Sequence, residues 1–234
     1  MKGFLCLCIG LSVFISCKES NTITFTETDE LYQKNAIIEL NIPRAQGDNR
    51  ISNSINNIIN AHIVEQLIFF EEKKSTRTLE NAIKSFDQEY KYFKNQFGES
   101  NIVWEASFSG EVTYQSSNII SVAINSYINS GGAHGNSNIT FFNFDSYGNL
   151  LQFKDLFNSK KALLDIVKTR FYNETKSRNI KYFFNEDFDL PKNIGFNDDG
   201  IMFFYNVYDI ASYADGITEF TIPYHNLAAL LRIR

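Results

Sequence analysis

The sequence predicts an α+β fold, with helices packed on one face of an antiparallel β-sheet and two interlocked subdomains. Three observations predict it. Two apolar stripes at helical spacing occupy residues 50–97, a period of two takes over at residue 102, and no long linker interrupts the chain after residue 35. With 234 residues, 44% apolar and 21% charged, the chain can bury a core without disulfide or metal staples. Its net charge of −5 lacks the basic footprint that nucleic-acid binding requires, so nucleic acid is excluded as a partner.

Residues 1–16 read as a leader. Lys2 precedes an apolar run over residues 4–15, and Ser16 and Cys17 come next. The run is too short for a membrane helix, which needs about 20 residues, and has the layout of a secretory signal. Val13-Phe14-Ile15-Ser16-Cys17 resembles a bacterial lipoprotein box, in which the cysteine is lipidated and becomes the new N-terminus. An ordinary signal peptide cut nearby and a short buried helix are the alternatives. All three cysteines, Cys6, Cys8 and Cys17, lie in this segment, so the mature chain has no disulfide framework, zinc–thiolate site or thiol nucleophile. Lipid on Cys17 implies an extracytoplasmic protein of the cell envelope, membrane-anchored at the periplasmic face or cell surface. Residues 17–34 are the lipidated cysteine and a polar tether.

Residues 36–42 read as a strand stopped by Pro43, and 43–49 as a loop. Ile51, Ile55, Ile59, Ile63 and Leu67 line one helix, and Leu79, Ile83, Phe86, Tyr90, Phe93 and Phe97 a second that Gly98 ends. Strands come next at 102–114, 120–128 and 139–144, with a turn at 145–149 and extended chain to Phe153. A helix capped by Asn158 or Ser159 carries Leu163, Val167 and Phe171 inward. Residues 176–200 read as irregular, 201–207 and 217–222 as strands, and Leu227, Leu230 and Leu231 as a short terminal helix. The division is into 35–128 and 129–234.

Chemistry-bearing motifs are sparse. His62 sits at the edge of a helical stripe, a core position. Gly131-Gly132-Ala133-His134-Gly135 exposes amides but lacks the strand and helix context of a nucleotide loop. No histidines share a metal-ligand spacing, and no G-x-S-x-G occurs. Glu105 and Glu111 lie about 20 Å apart along a strand, too far for the about 5–10 Å of glycosidase carboxylates. Asp187, Asp189, Asp198 and Asp199 lack the calcium-loop spacing, and Asp198-Asp199-Gly200 is turn chemistry. No cofactor, no metal and no catalytic residue is expected. Aromatics, at 15%, are the suggestive feature. Tyr205, Tyr208 and Tyr213 flank one loop and Tyr147 sits on a turn, so these four and His134 form the candidate ligand surface.

Two segments carry a family resemblance. The first is Ser130-Gly131-Gly132-Ala133-His134, with Phe144-Asp145, Gly148, Leu150 and Lys154-Asp155-Leu156-Phe157. The second is Asn197-Asp198-Asp199-Gly200-Ile201, with Phe203, Tyr205, Tyr208-Asp209-Ile210-Ala211, Tyr213-Ala214, Gly216 and Thr221-Ile222-Pro223-Tyr224. Together they resemble the DUF3298 family, and the region before them resembles its usual partner, DUF4163. The resemblance implies extracytoplasmic placement, since similar domains form the outer part of a lysozyme-sensing anti-sigma factor and precede some peptidoglycan deacetylases without being known catalysts. Gly131, Gly132, Asp145, Gly148, Gly200, Gly216 and Pro223 then mark turns and strand ends. The expected function is a lipid-anchored binding module, not an enzyme, whose ligand is peptidoglycan, another glycan or a lysozyme-like protein. The alternatives are a structural lipoprotein and a metal-assisted envelope hydrolase using His134 and Asp145.

Overall fold

The structure, a computed structural model, describes residues 23–69, 78–98, 102–183 and 188–233. In chain order its elements are β1 (Thr24–Glu27), β2 (Glu30–Gln33), β3 (Ile37–Asn41), β4 (Pro43–Gln46), α1 (Asn49–Leu67), α2 (Leu79–Phe97), β5 (Glu105–Gln115), β6 (Ile119–Asn129), β7 (Asn136–Asp145), α3 (Phe153–Leu156), α4 (Lys160–Thr175), β8 (Asn193–Phe196), β9 (Gly200–Tyr205), β10 (Thr218–Pro223) and α5 (Tyr224–Leu227). A five-stranded sheet runs β2-β3-β5-β6-β7, a three-stranded sheet runs β10-β9-β8, and β1 pairs with β4. The expected α+β class is observed. The larger sheet is mixed rather than purely antiparallel, because β3 and β5 pair in parallel. Two helices lie between them in the chain, the long crossover that a parallel pair needs.

Side-chain caps set the helix starts. The Asp48 carboxylate accepts from the amides of Arg50 and Ile51 at 2.9 and 3.1 Å, Thr78 caps α2 and Ser159 caps α4. Ile55, Ile59 and Ile63 of α1 and Phe86 and Tyr90 of α2 meet Ile38, Leu40, Phe108, Val122 and Ile124 on one face of the larger sheet. A second core joins Leu163, Val167 and Phe171 of α4 to Ile201, Phe203 and Tyr205 of β9 and Phe220 of β10. Strand β6 lies between the two cores. Val122 and Ile124 face the first, Ile119 faces the second, and Ser121 Oγ accepts from the Phe196 amide at 3.1 Å. Burial of both faces suits its nearly unbroken apolar run.

The edge of β7 carries the seam between the sheets. The Ile139 amide donates to Asn206 Oδ1 at 2.8 Å, and the Ile139 carbonyl accepts from Asn193 Nδ2 at 2.6 Å and Asn206 Nδ2 at 3.0 Å. The Phe141 amide donates to Asn193 Oδ1 at 2.8 Å. From the β7 side, buried Asn143 Nδ2 donates to the Ile194 carbonyl at 2.7 Å. A Cβ on Gly195 would lie 2.2 Å from the Phe141 ring, so β8 crosses β7 at a distance only glycine permits.

Several expectations need correction. Residues 24–33 are not a free tether: β1 and β2 pair with β4 and β3, the Thr28 amide donates to the Ile42 carbonyl, and the Thr28 hydroxyl accepts from the Ile42 amide. Pro43 does not end the extended chain but opens β4, and at the first residue of a strand a missing N–H costs little. Strand β8 lies inside the stretch expected to be irregular. Extended chain after the 145–149 turn is limited to a bridge between Phe144 and Leu150, and Phe153 starts the turn of helix α3. Phe142 and Phe144 of β7 belong to the first core.

His62 on α1 packs its ring edge-on to Phe142, centroids 5.2 Å apart, and its Nε2 is buried without a partner among the described residues. Burial holds its pKa below the ordinary value, outweighing the opposing pull of Glu65. The folded chain therefore binds fewer protons here than the unfolded chain, and stability is lost as pH falls through about 6.5. We predict a melting temperature that drops between pH 7 and pH 5.5, with His62→Phe removing that component; thermal melts of both proteins across this range check it.

Candidate functional site

The loop joining β6 to β7 and the segment after β9 meet at one end of the seam. Gly135 lies beneath the Tyr127 ring, where a Cβ would come within 2.2 Å. Its carbonyl accepts from His134 Nδ1 at 2.8 Å, which places the imidazole proton on that nitrogen, and from the Tyr213 hydroxyl at 3.4 Å. These bonds lay the His134 ring on that of Tyr213, centroids 4.0 Å apart and planes 25° apart. Tyr208 joins the group at 5.7 Å from Tyr213 and is 56% exposed. The result is a small exposed ring platform built from two distant segments.

Tyr208 is held at φ 68°, alone among the described non-glycine residues in having a positive φ. A bulky side chain there is strained by about 1–3 kcal/mol. The neighbouring bonds hold it in place: Asp209 accepts from the Asn206 amide and Asn206 is fixed to β7. Tyr213 sits in a single 3-10 turn, Tyr213–Asp215, closed by Ser212 and Asp215.

Of the expected ligand surface, the structure thus brings together His134, Tyr208 and Tyr213. Tyr205 is a correction: it is 3% exposed, its hydroxyl donates to the Asp189 carbonyl at 2.6 Å, and burial raises its pKa. It shares the inward face of β9 with Ile201 and Phe203. Tyr147 is exposed but sits at the far end of β7. There Asp145 shapes the turn by accepting from the amides of Tyr147 and Asn149, and Ser54 Oγ donates to the Gly148 carbonyl. His134 precedes and Asp145 ends the ten-residue β7, so roughly 30 Å separates them and the hydrolase pairing is not assembled. Gly131, Gly148 and Gly216 take positive φ as turn residues, but Gly132 and Gly200 do not. Gly200 is required for close approach instead, since a Cβ would meet the Ile222 carbonyl at 2.2 Å. Pro223 is the last residue of β10. Cys17 and Asp187 lie outside the described residues.

Sequence reading missed a second feature. A cleft of about 760 Å³ opens at the opposite end of β6, walled by Tyr114, Phe196 and Tyr224 and edged by His225. Its residues come from three distant segments, so no local spacing marks it in the sequence. His225 is thereby placed a full strand length from His134. Among the described residues no group of three or more His, Cys, Asp or Glu could hold a metal ion, and no helix is long and apolar enough to cross a membrane.

Comparison with known proteins gives the class. Residues 153–225 match the family model described as a protein of unknown function (DUF3298), which confirms the DUF3298 resemblance over that region. Residues 26–137 match the model described as deacetylase PdaC, which replaces the expected DUF4163 and contains the His134 loop. A DUF3298-family crystal structure from Bacteroides fragilis shares 24% identity over 90% of this chain and 93% of that one, with a TM-score of 0.66. Another, from Pseudomonas aeruginosa, shares 16% over 90% and 94%, with a TM-score of 0.59. At these identities they establish a shared fold. No curated protein matches the chain.

Replacing Tyr208 by glycine should relieve the backbone and remove the ring. We predict that Tyr208→Gly raises the melting temperature by a few degrees, corresponding to about 1 kcal/mol, while Tyr208→Ala does not; calorimetric melts of the two variants and the parent check it.

Proposed function

We propose that the protein is a binding module of the bacterial cell envelope rather than an enzyme, anchored by lipid on Cys17, and that His134, Tyr208 and Tyr213 contact its ligand. The ligand is peptidoglycan, another glycan or a lysozyme-like protein. The observation that carries this reading is the stacked His134–Tyr213 pair with the strained, exposed Tyr208 beside it. Large stiff rings held on a rigid base offer contact area at little entropic cost, and strain in an exposed residue is kept where it is used. The acidic chain favours a basic partner and disfavours polyanions. The PdaC match names a deacetylase, but among the described residues no group of three or more His, Cys, Asp or Glu could hold a metal ion, which favours binding over hydrolysis. The leader motif supports the anchor.

Calorimetric titration with an animal-type lysozyme and, separately, with peptidoglycan fragments tests the proposal. The expected result is micromolar or tighter binding of one of them that survives physiological salt and weakens at least tenfold in Tyr213→Ala. Trp104 is the single tryptophan and lies under Gly131 of the same loop, so its emission should shift on binding. Attraction confined to low salt would be unspecific charge pairing. Absence of binding by both ligands would contradict the proposal and leave a structural lipoprotein as the better account.

A further inference from the structure

The cleft at the other end of β6 has a chemistry of its own. The rings of Tyr114, Phe196 and Tyr224 form one wall, their centroids 6.0–6.4 Å apart. The Tyr224 phenol is engaged at the edge of the wall. The Tyr224 hydroxyl donates to the Asn197 carbonyl at 2.6 Å, and the Tyr114 ring lies against that of Tyr224. The wall therefore presents ring carbon. Ile119, Leu231 and two alanines continue the apolar lining, while Ser116, Asn118 and His225 lie at the rim. Among the described lining residues there is no lysine, arginine, aspartate or glutamate. Asp198 acts electrostatically on Tyr224 but does not line the cleft.

This composition narrows the occupant. The volume falls within the range of about 300–1,000 Å³ typical of small-molecule sites. A charged head would be desolvated without a counter-charge, and a polyhydroxylated sugar would leave most of its hydroxyls against hydrocarbon. The geometry points to a second binding site, for a small amphiphile whose apolar body lies on Tyr114, Phe196 and Tyr224 and whose single uncharged hydrogen-bonding head meets Ser116, Asn118 and His225. Its place in the chain agrees. Gln115 Nε2, on the hairpin between Tyr114 and Ser116, donates to the Ile23 carbonyl at 2.7 Å, so the backbone leading to Cys17 departs from this end. Six residues reach at most roughly 20 Å. On the lipid-anchor reading proposed for Cys17, on which this positional argument alone rests, the cleft is held near a bilayer that supplies amphiphiles.

The test uses the full chain carrying Cys17→Ser, which bears no lipid on that residue, so its outcome is independent of the anchor. The protein is titrated with the uncharged fluorophore N-phenyl-1-naphthylamine, and the bound probe is then competed with monolauroylglycerol, laurate and dodecylphosphocholine. The expected result is saturable one-to-one enhancement, displaced by monolauroylglycerol at concentrations at least tenfold below those needed of the two charged amphiphiles. Ala228 and Ala229 are exposed lining residues, so Ala228→Phe and Ala229→Phe fill the cleft from its rim. At least one of them should retain the parent melting temperature while lowering probe affinity tenfold or more. No saturable binding, or undiminished binding in a rim variant that melts like its parent, overturns the site. Equal displacement by laurate overturns the uncharged head.

Discussion

The exposed edge of β7 is the constraint on which the rest of the molecule depends. An edge strand presents unpaired N–H and C=O groups, and buried ones left unpaired cost about 1–3 kcal/mol each. Here the edge is closed by side-chain amides rather than by another strand. Asn193 and Asn206 take the amide and carbonyl of Ile139 and the amide of Phe141. Further along, the Asn143 carbonyl accepts from the Leu151 amide and the Asp145 amide donates to the Asn149 carbonyl. An asparagine side chain carries the same donor and acceptor as a peptide unit, so Asn193 of β8 and Asn206, the residue after β9, stand in for a sixth strand. That choice fixes where the smaller sheet lies against the larger one.

Both surfaces of interest depend on this seam. The ring platform takes His134 from the β6–β7 loop and Tyr208 and Tyr213 from beyond β9, and Asn206, which anchors β7, stands two residues before Tyr208. The cleft takes Tyr114 from the β5–β6 hairpin and Phe196 and Tyr224 from the smaller sheet and its exit. Each has one wall from each half of the chain. Two separate apolar cores stabilise the halves, while the polar seam sets their mutual position, because hydrogen bonds are directional and apolar contact is not.

The parts legible in the sequence are those held by local periodicity. The stripes of α1 and α2 and the alternation of β5 and β6 arise from residues three, four or two apart. Strand β8 was hidden because Asn193-Ile194-Gly195-Phe196 comes just after Pro191 and contains a glycine; its extended form comes from antiparallel pairing with β9 and from the bonds of Asn193 to β7. Strands β1 and β2 are short and polar, and only pairing reveals them. Tyr205 was misread although Ile201, Phe203 and Tyr205 alternate onto one face, because its nearness to the Tyr208 loop outweighed that period. The platform was partly legible, since glycines beside His134 and tyrosines beyond residue 205 mark two loops, but nothing in the spacing shows that the loops meet. The cleft was not legible, since its walls meet only in three dimensions.

Amide hydrogen exchange at Ile139 and Phe141 tests the central claim most directly. If the asparagine amides close the β7 edge, these two amides exchange as slowly as those of the central strand β6, through opening that separates the two sheets. Exchange at the rate of a solvent-exposed edge strand, while β6 remains protected, would contradict the account.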